Sequence, residues 1–303
     1  MVINIVSKSI TQKKNNKSQQ FVAEPKISVK ANTSNIFCWN LQQKDLSSAI
    51  QELVSRRSFD ILFFSETTQK SRKALDEALK PLGYSTRTNL LGNVRVALFD
   101  KYEQSEILLV KEDQRLTIII YNFGGEKYMA VGVHLDSPAS YPDESDRYAL
   151  ARDEYSIIAS YMRTHEVKNT VIIGDFNMNP FDRGMVSELS FKATHCKQTA
   201  QTVNKEKEYF FNPSWKIFSN DLTEKVKKAP GTIHYVPRNK DTYVDYWHVF
   251  DQVLISPCML SEYSNSYEVL TEWNKVKLLD SNLIPNRTKF SDHLPIVYTI
   301  KIG

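Results

Sequence analysis

Polar residues with catalytic or metal-binding side chains stand at the ends of apolar runs throughout the chain. Each of them follows or leads a run with the character of a buried strand. They are Asn40, Glu66, His134, Asp175 with Asn177, Asp251, and Asp292 with His293. Because polar groups tied to core strands are costly to bury unpaired, we expect these residues to meet at a common sheet edge.

Such a site would hold four carboxylates, two amides and two histidines. Several carboxylates in one place repel one another unless a cation lies among them. Oxygen-rich ligands with few nitrogens and no thiolates suit Mg²⁺ or Mn²⁺ better than Zn²⁺. The residue types therefore predict a Mg²⁺ site, with Mn²⁺ as the alternative ion.

The stretch from Val171 to Pro180, VIIGDFNMNP, places an acid and an amide side by side. Its β-branched residues predict a buried strand that ends at a glycine. Since alternate side chains of a strand share one face, we expect Asp175 and Asn177 to project together while Phe176 turns into the core. This pair suits a water and a metal-bound phosphate. The alternative is a strand followed by an Asx turn.

The elements that must position these residues alternate between strands and helices. Apolar runs predict strands at 35–40, 59–65, 94–100, 106–110, 116–123, 128–135, 250–256 and 291–302, besides the stretch 171–180. Apolar residues at helical spacing predict helices that begin at Asp45, run through 74–79 and span 143–167. Alternation at both ends, with a run of strands between, predicts helices packed outside two stacked sheets.

Composition and charge are those of a globular protein with no membrane segment. The 303 residues are 41% hydrophobic and 24% charged, and the net charge of +4 permits an anionic partner. Cys38, Cys196 and Cys258 are far apart and indicate neither a zinc site nor a disulfide framework. No signal-peptide-type apolar region is found in the first 30 residues. We therefore predict a soluble, cytoplasmic protein without membrane contact.

The first 30 residues are rich in Lys, Gln, Asn and Ser, as in TQKKNNKSQQ. Such a composition cannot bury enough apolar surface to order itself, which predicts a mobile basic tail at 1–30. The rest, 31–303, is predicted to form one domain. The tail's lysines could contact phosphates, although a charge run is more often simply solvated.

Six stretches resemble, in order, the motifs of the endonuclease/exonuclease/phosphatase superfamily. They are WN at 39–40, SET at 65–67, GVHLDS at 132–137, GDFNMNP at 174–180, FDQVLIS at 250–256 and SDHLP at 291–295. Members include deoxyribonuclease I, AP endonucleases similar to exonuclease III, sphingomyelinases and inositol-polyphosphate phosphatases. The resemblance implies an α/β fold: a four-layer sandwich with two mostly antiparallel sheets face to face and helices outside.

The resemblance also implies where a metal and the attacking water would lie. Glu66 resembles the principal metal carboxylate, with Asn40 and Asp292 close to the ion. Asp175 resembles the group that orients or deprotonates the water. Asn177 resembles the amide that positions the water or the phosphate.

For the phosphate itself, the resemblance implies two histidines. His293 resembles the residue that holds a phosphate oxygen, and Asp251 the carboxylate that fixes its tautomer. His134 would add a second donor to the phosphoryl group. Asp136, just beyond it, is interpreted as a turn residue.

Three features of the sequence favour nucleic acid as the substrate of a metal-dependent phosphoester hydrolysis. The net charge is positive, the tail is basic, and residues 205–249 interleave Lys and Arg with aromatic residues that can stack bases. A surface insertion with locally packed aromatics is the alternative for that segment. Phosphoinositide 5-phosphatases typically have a GDLN-type motif where this chain has GDFN, and AP endonucleases have a tyrosine where it has His134. Both differences favour a DNase-like endonuclease, with DNA preferred over RNA as the substrate.

Two other functions stay open at this point. One is a phosphatase or phosphodiesterase that acts on a lipid headgroup or a small molecule, although no hydrophobic anchor stands out to support it. The other is a binding or effector module that keeps the fold without catalysis. The intact set of acids and histidines argues against that module.

Overall fold

The computed structural model describes residues 33–202, 208–223, 228–236, 244–261 and 266–302. The predicted tail at 1–30 lies outside these residues, as do Lys225, Lys227, Arg238 and Lys240 of the predicted basic segment. Backbone contacts group Asn32–Gly303 into one compact unit. No helix in the described ranges is both long enough and apolar enough to cross a membrane.

Five α-helices lie in the described ranges. They are α1 (Ser47–Arg56), α2 (Gln69–Leu79), α3 (Glu144–Thr164), α4 (Arg183–Val186) and α5 (Lys197–Thr202). The first two stand between strands, and α3 stands before the strand that carries Asp175. Thr68 caps α2 through its hydroxyl, which accepts the Ser71 N–H at 3.0 Å, and Asp143 caps α3 through its carboxylate.

Strands β1 to β8 precede the aromatic and basic segment. They are β1 (Thr33–Asn40), β2 (Ile61–Ser65), β3 (Ser85–Thr86), β4 (Val96–Asp100), β5 (Ile107–Glu112), β6 (Leu116–Phe123), β7 (Glu126–His134) and β8 (Asn169–Asp175). The later ones are β9 (Ala193–Thr194), β10 (Phe210–Phe211), β11 (Ile233–His234), β12 (Trp247–His248), β13 (Asp251–Ile255), β14 (Glu268–Val269), β15 (Glu272–Trp273), β16 (Val276–Lys277) and β17 (Ile296–Lys301).

Two large sheets contain most of these strands. The first has the order β14-β17-β1-β2-β4-β3, and only its β1–β2 pair is parallel. The second has the order β5-β6-β7-β8-β13-β10-β9, with parallel pairs at β7–β8 and β9–β10. Two small antiparallel pairs, β11–β12 and β15–β16, stand apart from the large sheets.

The alternation of side chains along the strands produces four layers. On β1, Ile36 and Cys38 face the second sheet and lie in one apolar cluster with Ile173 of β8. Phe37 and Trp39 face the other way, in a cluster with residues of α1 and α2. A third cluster joins the outer face of the second sheet to α3. The predicted four-layer α/β sandwich is therefore confirmed.

The sheets approach each other closely at Gly132, in the middle of β7. A Cβ atom at this position would lie 2.4 Å from the ring of Phe63 and 2.7 Å from Val96 on the first sheet. Since real Cβ atoms do not approach other atoms so closely, only glycine fits this spacing.

Several predicted strand boundaries differ from those observed. The predicted strand 291–302 is shorter, because β17 begins at Ile296, directly after Pro295, which has no N–H to donate to a sheet. SDHLP therefore lies in the loop before the strand. The stretch 171–180 is a strand only as far as Asp175.

Candidate active site

The predicted site residues stand where β1, β2, β7, β8 and β13 share one edge. Asn40, His134 and Asp175 are the last residues of β1, β7 and β8. In the second sheet Asp175 pairs in register with His134 on one side and with Asp251, the first residue of β13, on the other. Parallel strands end at a common edge, and the antiparallel β13 begins there, so the three side chains become neighbours.

Asp175 lies at the centre of the cluster and is only 1% exposed. Its Oδ2 accepts a hydrogen bond from Asn40 Nδ2 at 3.0 Å. The same oxygen lies 3.7 Å from Nε2 of His293 and 3.9 Å from Nε2 of His134. Burial raises the pKa of Asp175 above its usual value, while the charge of His293 acts in the opposite direction. One carboxylate of the second sheet thus contacts three polar groups of the predicted set.

The imidazole of His293 is held between two carboxylates. Its Nδ1 lies 2.7 Å from Oδ2 of Asp251, so its Nε2 is directed towards Asp175. Burial alone would lower the pKa of His293, but the charges of Asp251 and Asp175 outweigh it and raise the pKa to about 10. The backbone of His293 is also fixed, because the Trp39 indole N–H donates to the His293 carbonyl at 2.9 Å.

Glu66 follows β2 directly and adopts a positive φ of 48°. The Gln43 N–H donates to its carbonyl at 2.7 Å, which supports this backbone conformation. Its Oε1 lies 3.1 Å from Asn40 Nδ2 and 3.5 Å from His134 Nε2. The interaction with His134 is the main cause that lowers the pKa of Glu66 to about 2, against the effect of burial. Its side chain is 32% exposed, so this part of the site is open to solvent.

Asn177 does not extend the strand as predicted. It has a φ of 50°, and its backbone N–H donates to Asp175 Oδ1 at 2.9 Å, which is the Asx turn of the alternative interpretation. Its side-chain amide donates to the Leu135 carbonyl at 2.8 Å. The prediction that the Asp175 and Asn177 side chains share a strand face is wrong, because the strand ends between them. Phe176 does turn into the core, as predicted.

Gly174 allows this strand end to lie against β7. Its φ is 145°, and a Cβ atom there would lie 2.1 Å from the carbonyl oxygen of Val133. No other residue fits so close to the neighbouring strand. The glycine of GDFN therefore serves the close approach of two backbones beside Asp175.

Asp292 is held through Gln42, a residue that the sequence analysis missed. Gln42 Nε2 donates to Asp292 Oδ2 at 2.9 Å, and the Gln42 backbone N–H donates to Asn40 Oδ1 at 2.9 Å. Gln42 therefore connects two of the predicted metal residues. Its Oε1 is buried with no hydrogen-bond partner among the described residues. The one sequence signal for Gln42 is its place two residues beyond the end of β1.

The donor atoms around Glu66 fit a hard divalent cation. Glu66 and Asp292 offer carboxylate oxygens, and the unsatisfied Oε1 of Gln42 is a further oxygen on a side chain that contacts Asp292. Asn40 directs its Nδ2 to Glu66, while its Oδ1 accepts the Gln42 N–H. Asp175, Asp251 and His293 form another group whose potential ligand atoms lie within 4.8 Å of one another. In that group the imidazole already bonds Asp251 and faces Asp175, which suits holding a proton better than holding an ion.

Asp136 is more than the turn residue that the sequence suggested. It lies in the loop after β7 and forms ion pairs with Arg95 at 2.5 Å and with Arg115 at 2.6 Å. Arg115 also lies 3.2 Å from Glu154 of α3. These contacts hold the chain immediately beyond His134.

The aromatic and basic segment divides into two parts. In the first, Phe210 and Phe211 form β10 and are buried, and Trp215 contacts Phe181 and His195. A cavity of about 490 Å³ beside Trp215 is lined by no residue of the predicted site. The alternative of local packing is correct for this part. The second part contributes β11 and β12, and Ile233 of β11 bridges to His293 of the predicted site.

A comparison with protein-family models matches most of the chain. The model of the Endonuclease/Exonuclease/phosphatase family matches residues 33–293, which include every predicted site residue. No curated protein matches the sequence at a significant level.

Solved structures share the fold at low sequence identity. A family protein from Bacteroides thetaiotaomicron is 16% identical, with 89% of this chain and 95% of that chain covered and a TM-score of 0.54. The human Nocturnin catalytic domain with bound sulfate is 15% identical, with 90% and 95% covered and a TM-score of 0.51. D. rerio TDP2 complexed with single strand DNA product is 12% identical, with 88% and 98% covered and a TM-score of 0.51.

These structural likenesses confirm the fold, and the family match supports an enzyme of the phosphoester hydrolase class, either phosphatase or nuclease in type. The matched residues run from the first residue of β1 to His293 and contain each strand whose end carries a predicted site residue. The chain belongs to the Endonuclease/Exonuclease/phosphatase family.

Proposed function

We propose that this protein is a metal-dependent phosphodiesterase that cleaves the backbone of nucleic acid at internal positions, with DNA preferred over RNA. The observation that carries the proposal is the convergence of Asn40, His134 and His293 on the buried carboxylate of Asp175. A proton acceptor beside two imidazoles is what the attack of water on a phosphodiester needs.

Asp175 is the group that orients the attacking water and accepts its proton. Its Oδ2 carries the contacts to Asn40 and the two histidines, and its Oδ1 is fixed by the Asn177 N–H. Asn177 therefore acts through its backbone on Asp175, and its side chain stabilises the loop through Leu135.

The two imidazoles bind the phosphoryl oxygens. His293 presents Nε2 because Asp251 engages its Nδ1, and His134 presents Nε2 from the neighbouring strand. Donors aimed at the place where charge develops stabilise the transition state without having to reorganise.

Glu66, Asn40 and Asp292 are the residues that would hold Mg²⁺ or Mn²⁺, with Gln42 supporting Asp292. When bound, such an ion acts as a Lewis acid on the phosphoryl oxygen and stabilises the leaving oxygen.

Nucleic acid is proposed as the substrate on three grounds. The net charge of the chain is +4. The β11–β12 pair, which carries aromatic residues, bridges to His293 through Ile233. D. rerio TDP2, which has the same fold, was crystallised with a single strand DNA product.

One assay panel tests the proposal. Supercoiled and linear DNA, single strands, RNA, phosphomonoesters and phosphoinositides are each incubated with Mg²⁺, Mn²⁺ or a chelator. We expect nicking of supercoiled DNA with either ion and none with chelator. Because a positioned base typically contributes about 10²–10⁴-fold to the rate, Asp175→Asn should lose about that factor in kcat.

Glu77→Gln, which changes an exposed carboxylate on α2, is the matched control and should leave the activity unchanged. Hydrolysis of phosphoinositides or phosphomonoesters alone would contradict the nucleic-acid assignment. Ordinary activity of purified Asp175→Asn would contradict the assignment of the site. Binding to nucleic acid should also fall steeply as salt is raised, whereas the hydrolysis of small phosphoesters should not.

A further inference from the structure

The β11–β12 hairpin is attached to the segment that carries His293. Ile233 forms an antiparallel bridge with His293, and the Leu294 N–H donates to the Thr232 carbonyl at 2.7 Å. Beyond β11, the Tyr235 N–H donates to the Tyr246 carbonyl at 2.8 Å, which extends the hairpin outwards. The β11 arm of the hairpin is therefore paired directly with His293, a residue of the candidate active site.

The other arm is attached to the loop that follows Asp175. Asn179 Nδ2 lies 3.1 Å from His248 Nδ1, and the Val249 N–H donates to Asn179 Oδ1 at 3.0 Å. A Cβ atom on Gly231 would lie 2.6 Å from the His248 carbonyl oxygen, so the two arms are in tight contact at their base. Both ends of the hairpin are thus fixed to segments that carry catalytic residues.

The two faces of the hairpin have different surroundings. Ile233 pairs with His248 and His234 with Trp247, so Trp247 belongs to the face opposite that of His248 and Tyr235. Trp247 packs against the apolar cluster beneath α1 and α2. The face of His248, which contacts Asn179, is continued outwards by Tyr235, whose ring centre lies 6.5 Å from that of His248.

Tyr235 is 51% exposed although it lies on this anchored face. A tyrosine ring is a flat, largely apolar surface. Contact with another ring therefore stabilises it more than contact with water does. Every nucleobase presents a π-face, so an aromatic side chain beside a phosphodiester-cleaving site stacks bases of any sequence.

We propose that Tyr235 is a stacking platform for a nucleobase that flanks the scissile phosphate. The inference rests on the proposed function and narrows its substrate to chains that carry bases. The anchors at His293 and Asn179 fix the distance between this ring and the reacting phosphate. Tyr235 thereby sets the position of the substrate chain along the site.

The test separates the base from the backbone. Steady-state kinetics are measured on a single-stranded DNA oligonucleotide and on one of equal length in which every base is replaced by an abasic tetrahydrofuran residue. Because stacking on an aromatic residue contributes about 1–3 kcal/mol per base, Tyr235→Ala should raise KM for the normal oligonucleotide by about 5- to 150-fold. Tyr235→Phe should stay within about twofold, because it keeps the ring.

On the abasic oligonucleotide, Tyr235→Ala and the unchanged protein should have the same KM. Val244→Ala is the matched control, because Val244 lies three residues before β12, is 95% exposed and should have no effect on either substrate. Thermal melting of each variant verifies that the fold is kept.

Three results would overturn the inference. If Tyr235→Ala leaves KM on normal DNA unchanged, the stacking role of Tyr235 is excluded. The proposed function is not affected by that result. An equal loss on both oligonucleotides would show that Tyr235 only supports the hairpin. If the unchanged protein cleaves neither DNA nor RNA, the proposed function fails, and the stacking inference fails with it.

Discussion

Asp251 holds His293 in one orientation through a single hydrogen bond of 2.7 Å between Oδ2 and Nδ1. Both side chains are buried, so water cannot replace either partner. Since the charges of Asp251 and Asp175 raise the pKa of His293 to about 10, the imidazole carries a proton on Nε2 as well as on Nδ1 at neutral pH. At the residue scale, the proposed chemistry of this site therefore depends on Asp251, which acts through His293.

Asp251→Asn removes the charge from this pair while it keeps a side chain of the same shape. We expect kcat to fall by about 10²–10⁴-fold, because loss of the Asp251 charge lowers the pKa of His293 and with it the fraction of imidazole that carries a proton on both nitrogens, while KM changes little. The proton on His293 Nδ1 should also lose its strongly shifted NMR resonance. A variant with normal kcat would contradict the role of Asp251.

Gln42→Ala tests the support of the proposed metal residues. Gln42 connects Asp292 to Asn40, so its loss should leave both ligands poorly oriented. Residues that hydrogen-bond to a metal ligand typically contribute about 10–100-fold to metal affinity. The Mg²⁺ concentration for half-maximal activity should therefore rise by that factor. Gln43→Ala is the control, because Gln43 is exposed and contacts Glu66 through its backbone N–H. Equal Mg²⁺ dependence of the two variants would exclude a role for Gln42.

At the scale of elements, Thr232 joins the segment before β11 to the first residue of β13. Its hydroxyl accepts the N–H groups of Phe250 and Asp251 at 3.2 and 3.0 Å, and its carbonyl accepts the Leu294 N–H. The side chain is fully buried. One residue thus holds the segments of Asp251 and His293 at a constant separation.

Thr232→Val keeps the shape of the side chain but leaves two buried N–H groups without an acceptor. We expect the free energy of unfolding to fall by about 1–3 kcal/mol in urea titrations. Thr232→Ser, which keeps the hydroxyl, should lose less than Thr232→Val. The reverse order of the two variants would show that packing of the methyl group, and not the hydrogen bonds, is what matters.

The same scale shows what the sequence could predict. Strand β6 is observed where it was predicted, at 116–123, because a continuous apolar run is a local signal. The Asx turn at Asn177 was open as an alternative because it too is local. Gln42 and Thr232 could not be found, since Gln42 meets Asp292 across 250 residues and Thr232 meets Asp251 across 19. Contacts of this kind depend on the assembled fold and leave no periodic pattern.

At the scale of the whole molecule, one ion-pair network connects three layers. Arg95 precedes β4 of the first sheet, whereas Arg115 and Asp136 flank strands of the second sheet. Glu154 joins the network from α3 and contacts Arg115. The charges lie just beyond His134, so the network fixes the layers near the candidate active site.

Asp136→Asn should show how this network depends on pH. Burial would raise the pKa of Asp136, but the hydrogen bonds from Arg95 and Arg115 outweigh it and lower the pKa below its usual value. A carboxylate with a lowered pKa in the folded state stabilises the protein above its unfolded-state pKa of about 3.9, and this contribution is lost as the pH falls further.

The unfolding free energies of the unchanged protein and Asp136→Asn should therefore differ most near neutral pH. The difference should shrink as the pH falls below about 4. Asp153→Asn, in the exposed pair with Arg152, is the control and should have little effect at any pH. A difference that stays constant with pH would contradict the argument.

The close approach of the sheets at Gly132 has a consequence for how this enzyme tolerates change. The cluster spans both sheets, because Asn40 and Glu66 come from one and His134 and Asp175 from the other. Gly132 sets the thickness of the core two residues before His134. Core substitutions that widen this gap should therefore reduce turnover before they reduce stability. The packing of the interior therefore sets the distances between the site residues of the two sheets.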